Sequence, residues 1–152
     1  MSSVGIGYDS HRFAAGRRLV LGGVEIEHER GLAGHSDADV VAHATIDALL
    51  GAAGEGDIGT LFPDDDELWR DADSIDLLRT VVGTIGGRIV NIDATVICEA
   101  PRLAPYRTEM ARILAEATSA RVSIKATSNE GMGWIGRGEG IACIAVASVE
   151  SE

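Results

Sequence analysis

An aspartate and a histidine stand two residues apart in "GYDSHRF", Gly7 to Phe13. The stretch alternates, so Val4, Ile6 and Tyr8 leave one face of a strand while Asp9 and His11 leave the other. Two metal-grade donors therefore share one direction. His43 is a third candidate, carried by "HSDADVVAHATIDALLGAAG". That segment reads as a helix: Ser36 or Asp37 can cap it, Val40, Ile46, Leu49 and Leu50 supply apolar positions, and Gly54 can end it. Asp47, one turn after His43, is placed to accept the second ring N–H and set the tautomer. One carboxylate and two imidazoles suit zinc with a fourth position open for catalysis or substrate binding. Taken alone, the D-x-H spacing favours a plainer account, a capped strand end plus a hydrogen-bonded helical histidine.

Three further stretches carry chemistry. "GHSDAD" puts His35, Ser36, Asp37 and Asp39 at the expected helix N-terminus, where free N–H groups and the dipole suit phosphate. The carboxylates oppose that unless they act as caps. Capping by Ser36 or Asp37 accounts for those two and leaves His35 unexplained. "GDIGTLFPDDD" carries Asp57, then Asp64, Asp65 and Asp66, which form either a solvated turn or a loop for the hydroxyls of a small polyol. "KATSNEGMGWIGRGEG" is the richest. Lys125 is a strand cation, and Thr127, Ser128 and Asn129 offer short polar groups where that strand ends. Glu130 is a hard oxygen donor suited to Mg²⁺ held jointly with phosphates. The glycines that follow permit close backbone approach. Neither the G-x-x-x-x-G-K-[ST] phosphate loop nor a G-x-S-x-G nucleophile elbow occurs.

These residues need a scaffold. "LVLGGVEIEHE" reads as two short strands around a Gly22–Gly23 turn, and Glu55 to Asp73 as a loop. A second helix starts at a Ser74 cap. "RIVNIDATVIC" is a strand, "APRLAPYR" a loop, and Tyr106 to Thr118 a third helix. "RVSIKATS" and "GIACIAVASV" are strands, the last apolar enough to be central. The pattern predicts an α+β fold, a mixed sheet with helices on one face, in a single domain of 152 residues. A net charge of -11 argues against nucleic acid and requires that any phosphorylated substrate be met by metal ions, a few basic side chains or backbone amides. Cys98 and Cys143 lie in apolar surroundings and read as buried free thiols in a reducing compartment. With no basic, apolar leader and no membrane-length apolar run, the cytoplasm is the expected location.

Together, "GYDSHRF", "GHSDADVVAHATIDALLGAAGEGDIGTLFPD", "EAPRLAPY" and "KATSNEGMGWIGRGEGIACIAVA" resemble the 2-C-methyl-D-erythritol 2,4-cyclodiphosphate synthase family of the non-mevalonate isoprenoid route. The likeness covers nearly the whole chain, with the motifs in order. It implies zinc ligands at Asp9, His11 and His43, with substrate contacts there and at Ser10. It implies phosphate contacts at His35 and Ser36, His35 being charge-stabilising. Polyol contacts fall on Asp57, Ile58 and Gly59 and on Phe62, Pro63, Asp64, Asp65 and Asp66. The cytidine loop falls on Cys98, Glu99, Ala100, Pro101, Arg102, Leu103 and Ala104. The family's T-T-T-E segment falls on Thr127, Ser128, Asn129 and Glu130, with a stabilising hydroxyl on Ser128 and a Mg²⁺ or Mn²⁺ ligand on Glu130. The segment reads T-S-N-E here and is followed by Gly131 in place of the usual lysine. These departures bear on nucleotide contacts rather than on the reaction.

The resemblance also implies a homotrimer around a sheet-lined axis, with sites between subunits. Arg137 and Glu139, with Trp134 nearby, match positions where an axial cavity accepts isoprenoid diphosphates; a packing cluster with an ion pair is the alternative. The implied enzyme is a phosphorus–oxygen lyase that releases CMP. The rivals are a non-catalytic, metal-dependent binder of isoprenoid diphosphates and a zinc phosphodiesterase. No base follows the histidine ligands, which counts against hydrolysis.

Overall fold

The computed structural model describes residues 1–152. Its first element, β1 (Ser2–Ala14), is the long strand that the alternation predicts: Val4, Ile6 and Tyr8 are exposed on one face. After β1 come β2 (Leu19–Leu21) and β3 (Val24–Ile26), which pair antiparallel as a small separate ribbon. Gly22 and Gly23 form its turn at φ +58° and +77°, with no room for a Cβ beside Met110, Ile75 and Ile113. Then follow β4 (Gly31–Leu32), α1 (Val40–Ala53), α2 (Ile58–Leu61), α3 (Ser74–Val82), β5 (Arg88–Ile97), α4 (Arg107–Thr118), β6 (Arg121–Thr127), α5 (Gly133–Gly136) and β7 (Gly140–Glu150).

The main sheet runs β4-β1-β7-β5-β6. Only β5 and β6 are parallel, so the sheet is mixed as expected, and apolar β7 is its centre. Ile92, Ala94, Val96, Ile141, Cys143, Ala145 and Ala147 face the buried side, where they join α1, α3 and α4 in one core. The opposite face of β1 and β7 keeps Val4, Ile6, Tyr8, Ile144 and Val146 open to solvent. No helix is long and apolar enough to cross a membrane.

Helix α1 lies directly on β1. A Cβ at Gly5 would overlap the carbonyl oxygen of Ala48, and one at Gly7 that of Ala44. Two glycines on the strand, facing alanines on the helix, let the two backbones approach closely. Asp9 and His11 continue the same strand face, so this packing sets their height beneath α1.

The start of α1 corrects the sequence reading. The cap is Asp39, not Ser36 or Asp37, and His35 to Ala38 precede the helix. Asp39 is fully buried and accepts from Val41 and Ala42 at the helix end and from Gly22 and Gly23 in the ribbon turn, at 2.8–3.1 Å. Its carboxylate fills the helix N-terminus that the sequence had offered to phosphate. Burial and the Asp37 charge push its carboxyl up to about 6, against the pull of the Ala42, Gly22 and Gly23 bonds. Likewise α3 is capped by Asp73, with Ser74 as its first residue. The 55–73 segment holds short α2 and a 3₁₀ turn at Glu67–Trp69, and α4 is preceded by another at Ala104–Tyr106. Several capping residues within a few positions, Ser36, Asp37 and Asp39 before α1 and Asp73 and Ser74 at α3, make such boundaries hard to place from sequence.

Candidate metal and phosphate site

Asp9, His11 and His43 do converge. Each offers one donor atom, and the three lie within 4.8 Å of one another. Asp9 Oδ2 stands 3.0 Å from His11 Nε2 and 3.1 Å from His43 Nδ1. The rings meet edge-on with centroids 5.6 Å apart. His11 Nδ1 donates to the Ala33 carbonyl at 2.7 Å, which leaves Nε2 bare on a neutral ring. That nitrogen is buried and has no hydrogen-bond partner. A bare nitrogen turned towards a carboxylate oxygen calls for a proton or a cation between them, so the donor set fits a metal. Burial works to raise the Asp9 carboxyl, but the His11 and His43 contacts outweigh it and hold it below the ordinary carboxylate value. Burial works to lower His11, and Asp9 outweighs it in the raising direction.

Asp47 is not the partner of His43. Its carboxylate accepts from the Ile58 N–H at 2.7 Å, pinning α2 to α1. The far nitrogen of His43 instead meets Ser74 Oγ at 2.8 Å and Ser36 Oγ at 3.1 Å. The sequence did not mark Ser74 as a site residue: it lies 31 positions from His43, and only the packing of α3 beside α1 joins them.

The donors open into a cavity of about 360 Å³, lined also by Gly34, His35, Ser36, Ile58, Gly59, Phe62, Asp64, Trp69 and Leu77. His35 Nε2 donates to the Asp66 carbonyl at 2.7 Å, fastening the acidic loop to the rim. Phe62 packs edge-on against Trp69, a lining residue that sequence reasoning missed. Asp57 caps α2 through Thr60 and does not itself line the cavity, which its neighbours Ile58 and Gly59 do. Asp65 and Pro63 sit on the same loop. Ser10, on the other face of β1, points away from the cavity into a basin of about 660 Å³ shared with Arg30, Trp134, Arg137 and Glu139. In that basin Arg137 Nε donates to Glu139 at 2.7 Å.

The remaining predicted residues form a second cluster. Cys98 to Ala104 and Thr127 to Glu130 do not line the metal cavity of their own chain. They are joined to each other through Glu99, which accepts from the Asn129 N–H at 2.8 Å and the Gly131 N–H at 2.7 Å. Ser128 Oγ accepts from the Glu130 N–H at 3.1 Å, and both side chains are exposed. Glu130 and Gly131 both take positive φ, +54° and +74°, so the turn presents the Glu130 carboxylate outward. Ala100–Pro101 is cis, and Cys98 Sγ donates to the Pro101 carbonyl. Burial pushes the Cys98 thiol up to about 11, with Glu99 adding to it, and raises Cys143 further. Both cysteines are free. Lys125 pairs with Asp93 at 2.8 Å on the open sheet face.

The sequence model of the YgbB family matches residues 2–150. A 2-C-methyl-D-erythritol 2,4-cyclodiphosphate synthase from Symbiobacterium thermophilum is 57% identical, over 96% of this chain and 97% of its own. Among solved structures, the bifunctional IspDF of Campylobacter jejuni superposes with a TM-score of 0.94 at 39% identity, covering 100% of this chain and 43% of that one. IspF of Plasmodium falciparum, solved as a CDP complex, superposes at 0.84 with 29% identity, over 99% and 97% of the two chains. A match spanning nearly every residue, on a fold that brings Asp9, His11 and His43 to one point, places the chain in the YgbB family, alongside the 2-C-methyl-D-erythritol 2,4-cyclodiphosphate synthases.

Proposed function

We propose that the chain converts 4-diphosphocytidyl-2-C-methyl-D-erythritol 2-phosphate to 2-C-methyl-D-erythritol 2,4-cyclodiphosphate and CMP. The observation that carries this is the Asp9–His11–His43 donor set at the floor of a cavity rimmed by His35 and the Asp57–Asp66 loop. The 2-phosphate oxygen attacks the β-phosphorus, the bond from that phosphorus to the α-phosphate oxygen breaks, and CMP leaves with the electron pair. The nucleophile is already anionic, so positioning and charge neutralisation suffice without a general base. Zinc on Asp9, His11 and His43, with Mg²⁺ or Mn²⁺ on Glu130, would supply that neutralisation, as an acidic protein needs for so anionic a ligand. His35 and Ser128 steady the developing charge. Ile58, Gly59 and the acidic loop hold the erythritol, and Cys98 to Ala104 hold the cytidine.

The functional assembly is a homotrimer whose sites lie between subunits. Two features support this: the metal cavity and the Glu130 cluster are separate within one chain, and an apolar stripe lies open on β1 and β7. The Arg137–Glu139–Trp134 basin is the place for an isoprenoid diphosphate on the axis. Two free, buried thiols suit a cytoplasmic enzyme. Incubation with the cytidylated substrate tests the reading. Cyclic diphosphate with equimolar CMP supports it; a linear phosphorylated product, or binding without turnover, overturns it.

A further inference from the structure

Behind His43 lies a hydrogen-bonded chain that the proposed reaction does not itself use. His43 Nε2 stands 2.8 Å from Ser74 Oγ. Ser74 Oγ donates in turn to Asp37 Oδ1, and Asp37 Oδ2 accepts from the Ser74 N–H at 3.0 Å. A carboxylate only accepts, so the single Ser74 hydroxyl proton is committed to Asp37. The Ser74 oxygen is then left as an acceptor, and the nitrogen facing it must carry a proton. On the neutral ring that a metal ligand must be, the proton is then on Nε2 and the lone pair on Nδ1, the atom that faces Asp9 at 3.1 Å. Ser36 Oγ is compatible with the arrangement: it lies 3.1 Å from the same Nε2, accepts the Ala38 N–H at 3.2 Å, and has Ser74 Oγ 3.5 Å away as a recipient for its own proton.

A bland purpose for Ser74 would be to start α3. That role is filled already, because Asp73 caps α3 by accepting the Ile75 N–H at 2.8 Å. The Ser74 side chain is fully buried and turned inward, away from the helix end it begins. We propose that Ser74 and Asp37 are positioning residues that lock His43 in the Nε2–H tautomer and aim its Nδ1 at the metal. This rests on the zinc reading above. Two imidazoles thereby present opposite nitrogens to one point: His11 is locked through Nδ1 to Ala33, His43 through Nε2 to Ser74. The outer partners of metal-binding histidines typically govern about 10–100-fold in affinity.

Zinc affinity, measured by chelator competition on wild type, Ser74→Ala and Ser74→Thr, tests the inference without reference to turnover. Ser74→Ala should bind zinc about 10–100-fold more weakly, and Ser74→Thr, which keeps the hydroxyl, should recover most of that loss. Melting of the metal-free chains reads any structural role separately. A lowered melting point with zinc affinity within about twofold of wild type would overturn the inference. Long-range ¹H–¹⁵N spectra of zinc-loaded wild type decide the matter even if Ser74→Ala does not fold. A proton on His43 Nε2 supports the lock, and one on Nδ1 overturns it. A wild-type chain that takes up no zinc removes the metal reading as well, an outcome distinct from a zinc-binding wild type whose variant binds equally.

Discussion

At the scale of single residues, the three donor atoms are close enough to hold one ion, so the loss of any one of them should tell. His43 contributes its Nδ1 to the set and its Nε2 to Ser74, and its ring is largely buried beside Asp9. We predict that His43→Ala loses bound zinc and turnover together while the chain stays folded. The apolar positions of α1 do not depend on the imidazole, whereas one of three protein ligands is gone. Elemental analysis and circular dichroism of the purified variant check this; full zinc occupancy with normal turnover would end the assignment. That Asp9 and His11 share a direction was legible in the sequence, because D-x-H on an alternating strand forces both side chains onto one face. The spacing alone favours a plainer account, and the metal reading comes from the family resemblance. The supports of the ligands were not legible. Asp47, one turn from His43, had the right spacing, yet its carboxylate is drawn to the unpaired Ile58 N–H at the start of α2. Ser74 had the right chemistry, but helix–helix packing, not spacing, brings it to His43.

At the scale of elements, close contact does the positioning. Gly7→Ala should push α1 off β1, since the new Cβ would meet the Ala44 backbone rather than a side chain that can turn aside. We expect a loss of about 1–3 kcal/mol in urea unfolding and, because His43 neighbours Ala44, a clear drop in zinc affinity. Gly51→Ala is the control. Its Cβ would lie 3.6 Å from Gly5 Cα, an ordinary contact, so the helix should gain up to about 1 kcal/mol. The Asp39 carboxylate ties α1 to the β2–β3 ribbon through four backbone N–H groups. Asp39→Asn must turn an NH₂ towards at least one of them, and we expect about 1–3 kcal/mol of destabilisation. The sign with pH follows from the carboxyl being raised to about 6. Its contribution to folding is fullest below pH about 4 and is lost as pH rises through about 6. Denaturant midpoints of wild type and variant across that range should converge towards the upper end. Alternation, the Gly22–Gly23 turn and the apolar run of β7 made the strands and the central position readable. The cap at Asp39 was not, because its deciding partners, Gly22 and Gly23, lie 17 and 16 residues away.

At the scale of the whole molecule, the separation of two ligand clusters on one chain has a direct test. Neither His43→Ala nor Glu130→Gln alone should turn over at more than a small fraction of the wild-type rate. Unfolded together and reassembled, the two should regain activity above either parent, because some mixed interfaces pair an intact metal cavity with an intact Glu130 turn. Absence of any gain, or a monomer by light scattering, would sink the shared-site assembly. The stripe formed by Val4, Ile6, Tyr8, Ile144 and Val146 then has a meaning for the cell's supply of this chain. In the proposed shared-site assembly, a subunit fresh from synthesis would carry that surface bare and have no complete site until it met its fellows. Catalytic capacity would then be a higher-order function of abundance: near the concentration at which subunits part, halving the dose would remove more than half of the working sites. Small changes in expression would be amplified in pathway flux, with no effector molecule involved.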